Sequence, residues 1–496
     1  VTDLACRLEG FKYIVPELIL GGVAVLVFLL AAAARGKKRW AEVIFPNLSA
    51  LGLIAAFVFL FYPSREGTGT LFAGLLVVDP FSIFFRALVI GAAFLGVFLS
   101  VGSPSVAQDR KGEYHGLLMV MALGMCLLAG SNHLLMIYVA METVSLCSYL
   151  LTGFDERLDR SREAGLKYVL YGGVASGVML FGMSLLYGLF GDLSVEGLHR
   201  AIMASSALDT PVGQWAALLA VLFVLCGLGY KIAAVPFHMW CPDAYEGAPT
   251  PFTALLSVGP KAAGFAVLIR FFWGIFPGVE SIPWVLVIGI VSAITMTVGN
   301  FIAIVQNNLK RLLAYSSIAH AGYVLMGVTA GGTDGFEAVS MYLLIYLIMN
   351  MGAFAVVSAV DRLHHSEDIR VYKGLGKRAP LLGVVMAIFL FSLTGLPPTA
   401  GFVGKLYLFA ALIHQGEFWY IALAVVGIFN SVVSLYYYAR VLKVMYLEKT
   451  EAPVATVSVG NMAAVLATLL AIPTLLFGIF WQPLAKVAQW SAQLFH

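Results

Sequence analysis

The sequence predicts an all-α polytopic membrane protein of about fourteen transmembrane helices, with two inverted five-helix repeats that each contain a broken helix. Three observations carry that expectation. The chain is 60% hydrophobic and only 11% charged, whereas soluble domains run near one-quarter charged, so too few polar side chains remain to cover a water-facing surface. Its apolar runs reach the ~20 residues that a helix needs to cross a bilayer. Its lysines and arginines gather almost wholly on alternate loops.

The spans fall near 14–34, 43–62, 79–101, 114–130, 132–152, 164–190, 212–236, 251–276, 282–304, 310–330, 336–360, 380–414, 417–446 and 462–482. The first is long enough to span, and no cleavable signal pattern precedes it. The fourth and fifth are nearly continuous and must form a tight hairpin. The twelfth is too long for one straight span and holds Gly395, Pro397, Pro398, Gly401 and Gly404, a composition that breaks helices. Loops after odd-numbered spans hold nineteen basic residues, among them Arg35, Lys37, Lys38, Arg39, Arg157, Arg160, Arg362 and Lys449; loops after even-numbered spans hold two, Arg65 and Arg200. Positive charge marks the cytoplasmic side. Both termini, with Arg7, Lys12 and Lys486, are therefore expected outside.

Six basic residues remain within spans: Arg86, Lys167, Lys231, Lys261, Arg270 and Lys405. Among the acids, Glu142 stands at the centre of its span, while Glu17 and Asp79 sit near ends. A charge at the bilayer centre costs at least ~2.5 kcal/mol even on the most lenient scale, so such residues face a partner or a wet cavity. Arg86, Lys167 and Arg270 are placed to snorkel toward an interface. Glu142, Lys231, Lys261 and Lys405 have no such exit.

Lys231 and Lys405 each lie in a span interrupted by proline, Pro236 in the seventh and Pro397–Pro398 in the twelfth. Backbone groups freed by a break are tolerated at membrane depth only where they are buried in protein or line water. The breaks are five spans apart, and a unit of five spans inserts its copy upside down. Inverted repeats with discontinuous helices are a recurring transporter design, with the ion site near the midplane. The expected division is an N-terminal three-helix region over 1–113, a first repeat over 114–276, a second over 282–446 and a last helix over 447–496. Gly247-Ala-Pro-Thr-Pro…Lys261 faintly echoes Gly395-Leu-Pro-Pro-Thr…Lys405.

The chemistry these residues suit is proton transfer along a row of titratable groups. Glu142 and Lys231, if paired, hold one another charged; an ammonium left alone in a low-dielectric site is disfavoured against its neutral form. Lysine responds to burial in this way, whereas arginine keeps its proton. Lys261 and Lys405 are further acceptors, and His238 and His320 are natural intermediates; His320 lies in YSSIAHAGYVLMG beside Ser316 and Ser317. Plainer roles stand beside these. Glu142–Lys231 could be a register-fixing ion pair, His320 a packed side chain, His238 a brace for the loop after the break, and Asp243 with Glu246 a brace for CPDAYEGAP. Cys6, Cys126, Cys147, Cys226 and Cys241 show no CxxC or CxxH spacing, and no P-loop or GxGxxG follows a strand, which argues against redox chemistry or a metal on this chain. The net charge of +3 is too small to point to nucleic acid.

KIAAVPFHMWCPDAYEGAPTPFTALLSVGPKAAGF, NLKRLLAYSSIAHAGY and GLPPTAGFVGKLYLF together resemble the antiporter-like membrane subunits of respiratory complex I, the proton-translocating NADH–quinone oxidoreductase. PDAYEGAPTP followed by SVGPKAAGF is most similar to that family's N branch; the L and M branches differ after the PFHxWLPDA stretch. The resemblance runs from about the third span to the end. It implies roles for matching positions: Glu142 and Lys231 as the carboxylate–lysine pair, Lys167 as its modulator, Lys261 as the central lysine and Lys405 as the terminal one, where subunit M carries glutamate. It also implies no cofactor on this chain. Flavin mononucleotide and iron–sulfur clusters are expected in partner subunits, quinone as the complex's substrate, and subunit M with small membrane subunits as neighbours in a bacterial inner membrane. The runner-up is a subunit of a multisubunit sodium/proton antiporter; a third reading is a scaffold that pumps nothing.

Overall fold

The computed structural model describes residues 12–33, 40–62, 69–364, 366–448 and 462–493. Cys6, Arg7, Arg35, Lys37, Lys38, Arg39, Arg65, Lys449 and both chain ends lie outside the described residues. Within them, thirteen helices are long and apolar enough to cross a membrane, and two shorter ones, Pro380–Thr394 and Ala400–His414, make up the twelfth span. The fourth and fifth spans, Lys111–Ala129 and Leu134–Thr152, form the expected hairpin.

Local sequence sets the helix starts. Asp79 opens the third span, Pro80–Ser100, with a capping box: its carboxylate accepts from the Ser82 amide at 2.6 Å, and Ser82 Oγ accepts from the Asp79 amide at 3.0 Å. Side-chain caps of this kind satisfy amides that have no carbonyl partner at a helix start. Thr210 before Pro211 opens the seventh span, Pro211–Ile232, and Asn308 opens the tenth, Leu309–Ala330.

The two breaks are built alike. The seventh span ends at Ala233 and the first half of the twelfth at Gly395, both left-handed, with φ of 59° and 88°. In each the next amide reaches back five residues, Ala234 to the Gly229 carbonyl at 2.8 Å and Leu396 to the Phe391 carbonyl at 3.1 Å. That is the Schellman closure, which satisfies carbonyls a broken helix would orphan. A cis X–Pro peptide follows in each. The chain then resumes as Trp240–Gly247 in the first repeat and as Ala400–His414 in the second. The Gly247/Gly395 echo therefore pairs unlike positions: Gly247 ends a half-helix, whereas the counterpart of Gly395 is Ala233.

Several elements escape the sequence reading. A two-stranded antiparallel hairpin, Gly69–Leu71 with Leu76–Val78, precedes the third span and docks on the fourth–fifth turn, Val77 donating to the Gly130 carbonyl at 2.8 Å. Strands of three residues show no alternation to read. Val195–Ala204 is an amphipathic helix between the sixth and seventh spans, and a further helix, Gln482–Ala492, follows the fourteenth span, Met462–Ile479. The last expected region thus ends in two helices rather than one. The sixth span starts earlier than expected, at Asp159.

Arg86 and Arg270 do not snorkel. Arg86 lies 3.3 Å from Glu17, and Arg270 reaches both oxygens of Asp79 at 2.8 Å; all four side chains are buried. An opposite charge inside the bundle compensates a buried guanidinium, so these arginines turn inward.

Candidate functional site

The eighth span, Thr250–Ile275, is buried almost throughout, and the candidate charges gather around it. Lys231 sits two residues before the left-handed Ala233, and its stem packs against the eighth span: a Cβ built on Gly264 would stand 3.3 Å from Lys231 Cγ. Its ammonium donates to Ser145 Oγ on the fifth span at 3.1 Å. Glu142 is one turn earlier on that span and takes a short hydrogen bond from Ser176 of the sixth. No ion pair within 4.0 Å joins Glu142 to Lys231; the ammonium meets Ser145, whose own proton goes to the Met141 carbonyl at 2.7 Å. Around the break, Tyr168 stacks on Trp240 with centroids 4.3 Å apart, and Trp240 Nε1 donates to the Tyr230 carbonyl.

Lys167 does not reach that pair. It bridges Glu163 at 2.7 Å and Asp243 at 3.0 Å, with its side chain 41% exposed. It belongs to an ionic clamp on the half-helix Trp240–Gly247. Arg311 holds Asp243 at 2.6 Å and Glu246 at 2.7 Å. Lys310 donates to the Glu246 and Ala248 carbonyls and to Glu367, which also meets Arg160 at 3.3 Å. Burial pushes the Glu367 carboxyl up, but the Lys310 and Arg160 charges with the Lys310 and Asn308 hydrogen bonds outweigh it and hold the group below its usual range. Asp243 and Glu246 thus brace a helix where the sequence suggested a loop.

Lys261 is buried on the eighth span. It donates to the Ser317 hydroxyl at 2.6 Å and to the Ser317 carbonyl at 3.2 Å, and stands 5.8 Å from the Tyr245 ring centroid. His320, one turn along the tenth span, is enclosed by tyrosines: its Nδ1 lies 2.6 Å from the Tyr342 hydroxyl and its Nε2 3.5 Å from that of Tyr438, which makes a short contact with Ser316. Lys405 lies beyond. It donates to the Thr394 carbonyl at 2.8 Å and to Ser431 Oγ at 3.1 Å, 4.4 Å from the Tyr323 ring centroid. A cavity of about 230 Å³ between the twelfth and thirteenth spans is lined by Lys405, Ser431 and Thr394. Gly395 has to be glycine here: its φ is positive, and a Cβ would come within 2.8 Å of Lys405 Cδ.

The tenth span joins these groups. Ser317, His320 and Tyr323 recur every three residues, so they share one face, and six residues of helix cover about 9 Å. At one end Ser317 holds Lys261; at the other Tyr323 meets Lys405. His238 lies apart, buried in the seventh-span break with Nδ1 lacking a hydrogen-bond partner. The structure brings together Lys261, His320 and Lys405 along the tenth span, packs the Lys231 stem against the eighth, and sets Lys167 at the rim. Ser145, Ser176, Tyr342 and Ser431 are contributors that sequence reading missed, because a lone hydroxyl in a span carries no distinguishing pattern. Among the described residues no group of three or more His, Cys, Asp or Glu could hold a metal ion.

Residues 131–434 match the family model described as NADH:quinone oxidoreductase/Mrp antiporter, membrane region. The chain is 46% identical to NADH-quinone oxidoreductase subunit N of an Anaeromyxobacter species, over 97% of this chain and 96% of that one. It is similar to a chain of respiratory complex I from Thermus thermophilus solved with bound aureothin, at 31% identity and a TM-score of 0.78, covering 95% of this chain and 98% of that one. A chain of the Mrp complex from a Dietzia species superposes with a TM-score of 0.82 at 23% identity, covering 97% of each; that likeness concerns the fold alone. Motif, fold and relatives agree: the chain belongs to the NADH:quinone oxidoreductase/Mrp antiporter family of membrane subunits, on the branch of NADH-quinone oxidoreductase subunit N.

Proposed function

We propose that this chain moves protons across the membrane through Glu142, Lys231, Lys261, His320 and Lys405, driven by electron transfer from NADH to quinone in other subunits. The observation that carries the reading is the tenth-span face, which bridges two buried lysines with a serine, a histidine and a tyrosine. Hydroxyls and imidazole both donate and accept, as a relay requires. Lys261 and Lys405 rest on hydroxyl and carbonyl oxygens rather than on carboxylates, so no fixed counter-charge pins their protons. At the other end Lys231 rests on Ser145 rather than on Glu142. Approach of the carboxylate would favour the charged lysine, and withdrawal the neutral one.

The finer assignments follow from that reading. The repeats divide near 114–276 and 282–446. The membrane is a bacterial inner membrane, with the basic loops in the cytoplasm and both termini in the periplasm, as the nineteen-to-two bias supports. Subunit M and small membrane subunits flank this chain; flavin mononucleotide and iron–sulfur clusters reside in partner subunits. Lys167 modulates through the clamp on Trp240–Gly247, and His238 serves the break.

The test is NADH-driven acidification of vesicles carrying the assembled complex. Lys231→Ala should lower it at least ~10-fold, since positioned proton transfer contributes more than that. Normal pumping by a correctly assembled Lys231→Ala complex would leave only a scaffold role. Purified assemblies without flavin and iron–sulfur absorbance, or with sodium-dependent transport at a fixed proton gradient, would favour the antiporter instead.

A further inference from the structure

Within the eleventh span, Gly332–His364, Tyr342, Tyr346 and Asn350 are spaced by four and therefore line one face. All three are buried. They climb past the charged row: Tyr342 contacts His320 at 2.6 Å, the Tyr346 ring lies 5.1 Å from the His320 ring, and Asn350 Nδ2 donates to Ser257 Oγ at 2.6 Å. Ser257 stands one turn before Lys261 on the eighth span. Its own proton is committed to the Ala254 carbonyl at 2.6 Å, so only the Asn350 amino group can face it, and Asn350 Oδ1 points away. That oxygen and the Tyr346 hydroxyl have no hydrogen-bond partner in the protein. The Tyr346 hydroxyl faces Ser317, the residue that holds Lys261, without meeting hydrogen-bond geometry.

Buried polar atoms are almost always partnered. Two orphans on consecutive turns, one beside the His320 ring and the other next to the serine one turn before Lys261, have the spacing and polarity that ordered water satisfies. We propose that Tyr346 and Asn350 are positioning residues that hold water against Lys261, so that its proton passes to His320. The inference rests on the proton-moving reading above and adds the eleventh span to it. Neither residue exchanges the proton itself; each orients the water that does.

The experiment uses the assembled complex in vesicles, with NADH-driven acidification measured in H₂O and D₂O, and NADH oxidation by an artificial acceptor as the control for assembly. Tyr346→Phe removes only the orphan hydroxyl. Were that group merely structural, its loss would leave thermal stability and pumping unchanged or improved. The expected result is unchanged or higher stability with pumping lowered about tenfold and a larger solvent isotope effect. Asn350→Leu should act likewise, while Asn350→Ser, which can still bind water, should recover most of the rate. Lys261→Ala in the same preparation separates the two claims. Wild-type pumping by Tyr346→Phe beside a dead Lys261→Ala overturns the water-holding role alone; normal pumping by both overturns the proton reading with it. An Asn350→Ser variant as slow as Asn350→Leu assigns Asn350 to packing and overturns its part.

Discussion

The two broken spans close in the same way yet put their lysines on opposite sides of the break. In the seventh, Lys231 belongs to the first half-helix and donates to Ser145 of a neighbouring span. In the twelfth, Lys405 belongs to the second half-helix and donates back to the Thr394 carbonyl, one residue before the left-handed turn. Only Lys405 uses the broken backbone as its acceptor. The seventh break is held from outside instead, by the ionic clamp of Lys167, Arg311, Lys310 and Glu367 on Trp240–Gly247. A shared backbone device thus serves two ends: a ligand for a lysine in one repeat, and a short, clamped half-helix in the other.

Function should break before stability does. Replacing either lysine by arginine keeps the charge but not the ability to release the proton. Lys231→Arg and Lys405→Arg should therefore each lower vesicle acidification at least ~10-fold while the complex still assembles. An active Lys405→Arg complex would show that only charge is needed at the twelfth-span break.

The clamp comes next. Glu367→Gln strips a buried carboxylate from Lys310 and Arg160 and should cost about 3 kcal/mol, read as lowered thermal stability and faster proteolysis of the loops around the clamp. The pH dependence has a definite sign. Because the folded protein holds Glu367 below its usual range, its contribution is fully present above the ordinary carboxylate pKa of about 4.3 and is lost as pH falls through the folded value. The stability gap between wild type and Glu367→Gln should therefore close on acidification. A gap that persists at low pH would mean that shape rather than charge holds the half-helix.

The smallest effects test the turns themselves. Gly395→Ala forces a Cβ into a left-handed position and against Lys405, costing about 2 kcal/mol and disturbing pumping. Ala233→Gly at the matching turn relieves the same strain with no lysine to disturb. It should leave pumping intact and raise stability by about 0.5 kcal/mol, the relief being partly offset by backbone entropy. Equal effects at both positions would erase the distinction between the breaks.

Much of this was legible along the chain. Span positions follow from apolar run length, and the breaks from proline and glycine. The buried lysines stand out because a charge in a span is expensive wherever its partner lies. The same cost misled at Arg86 and Arg270, which read as snorkelling. Their partners, Glu17 and Asp79, were visible as acids but are 69 and 191 residues away. The eleventh-span stripe was also legible in principle, since tyrosine, tyrosine and asparagine at a spacing of four is one helical face, but nothing in sequence says what that face meets.

By itself the sequence determined the number of spans, their breaks and the burial of Lys231, Lys261 and Lys405. Each of these is decided by composition or by a helix's own period. Tertiary structure alone decided the partners: Ser145 beside Lys231, Lys167 on Asp243, Ser317 under Lys261, the Thr394 carbonyl under Lys405. Helical periodicity fixes which residues share a face, but the face across from it depends on how distant spans pack, and contacts between spans leave no period in the chain.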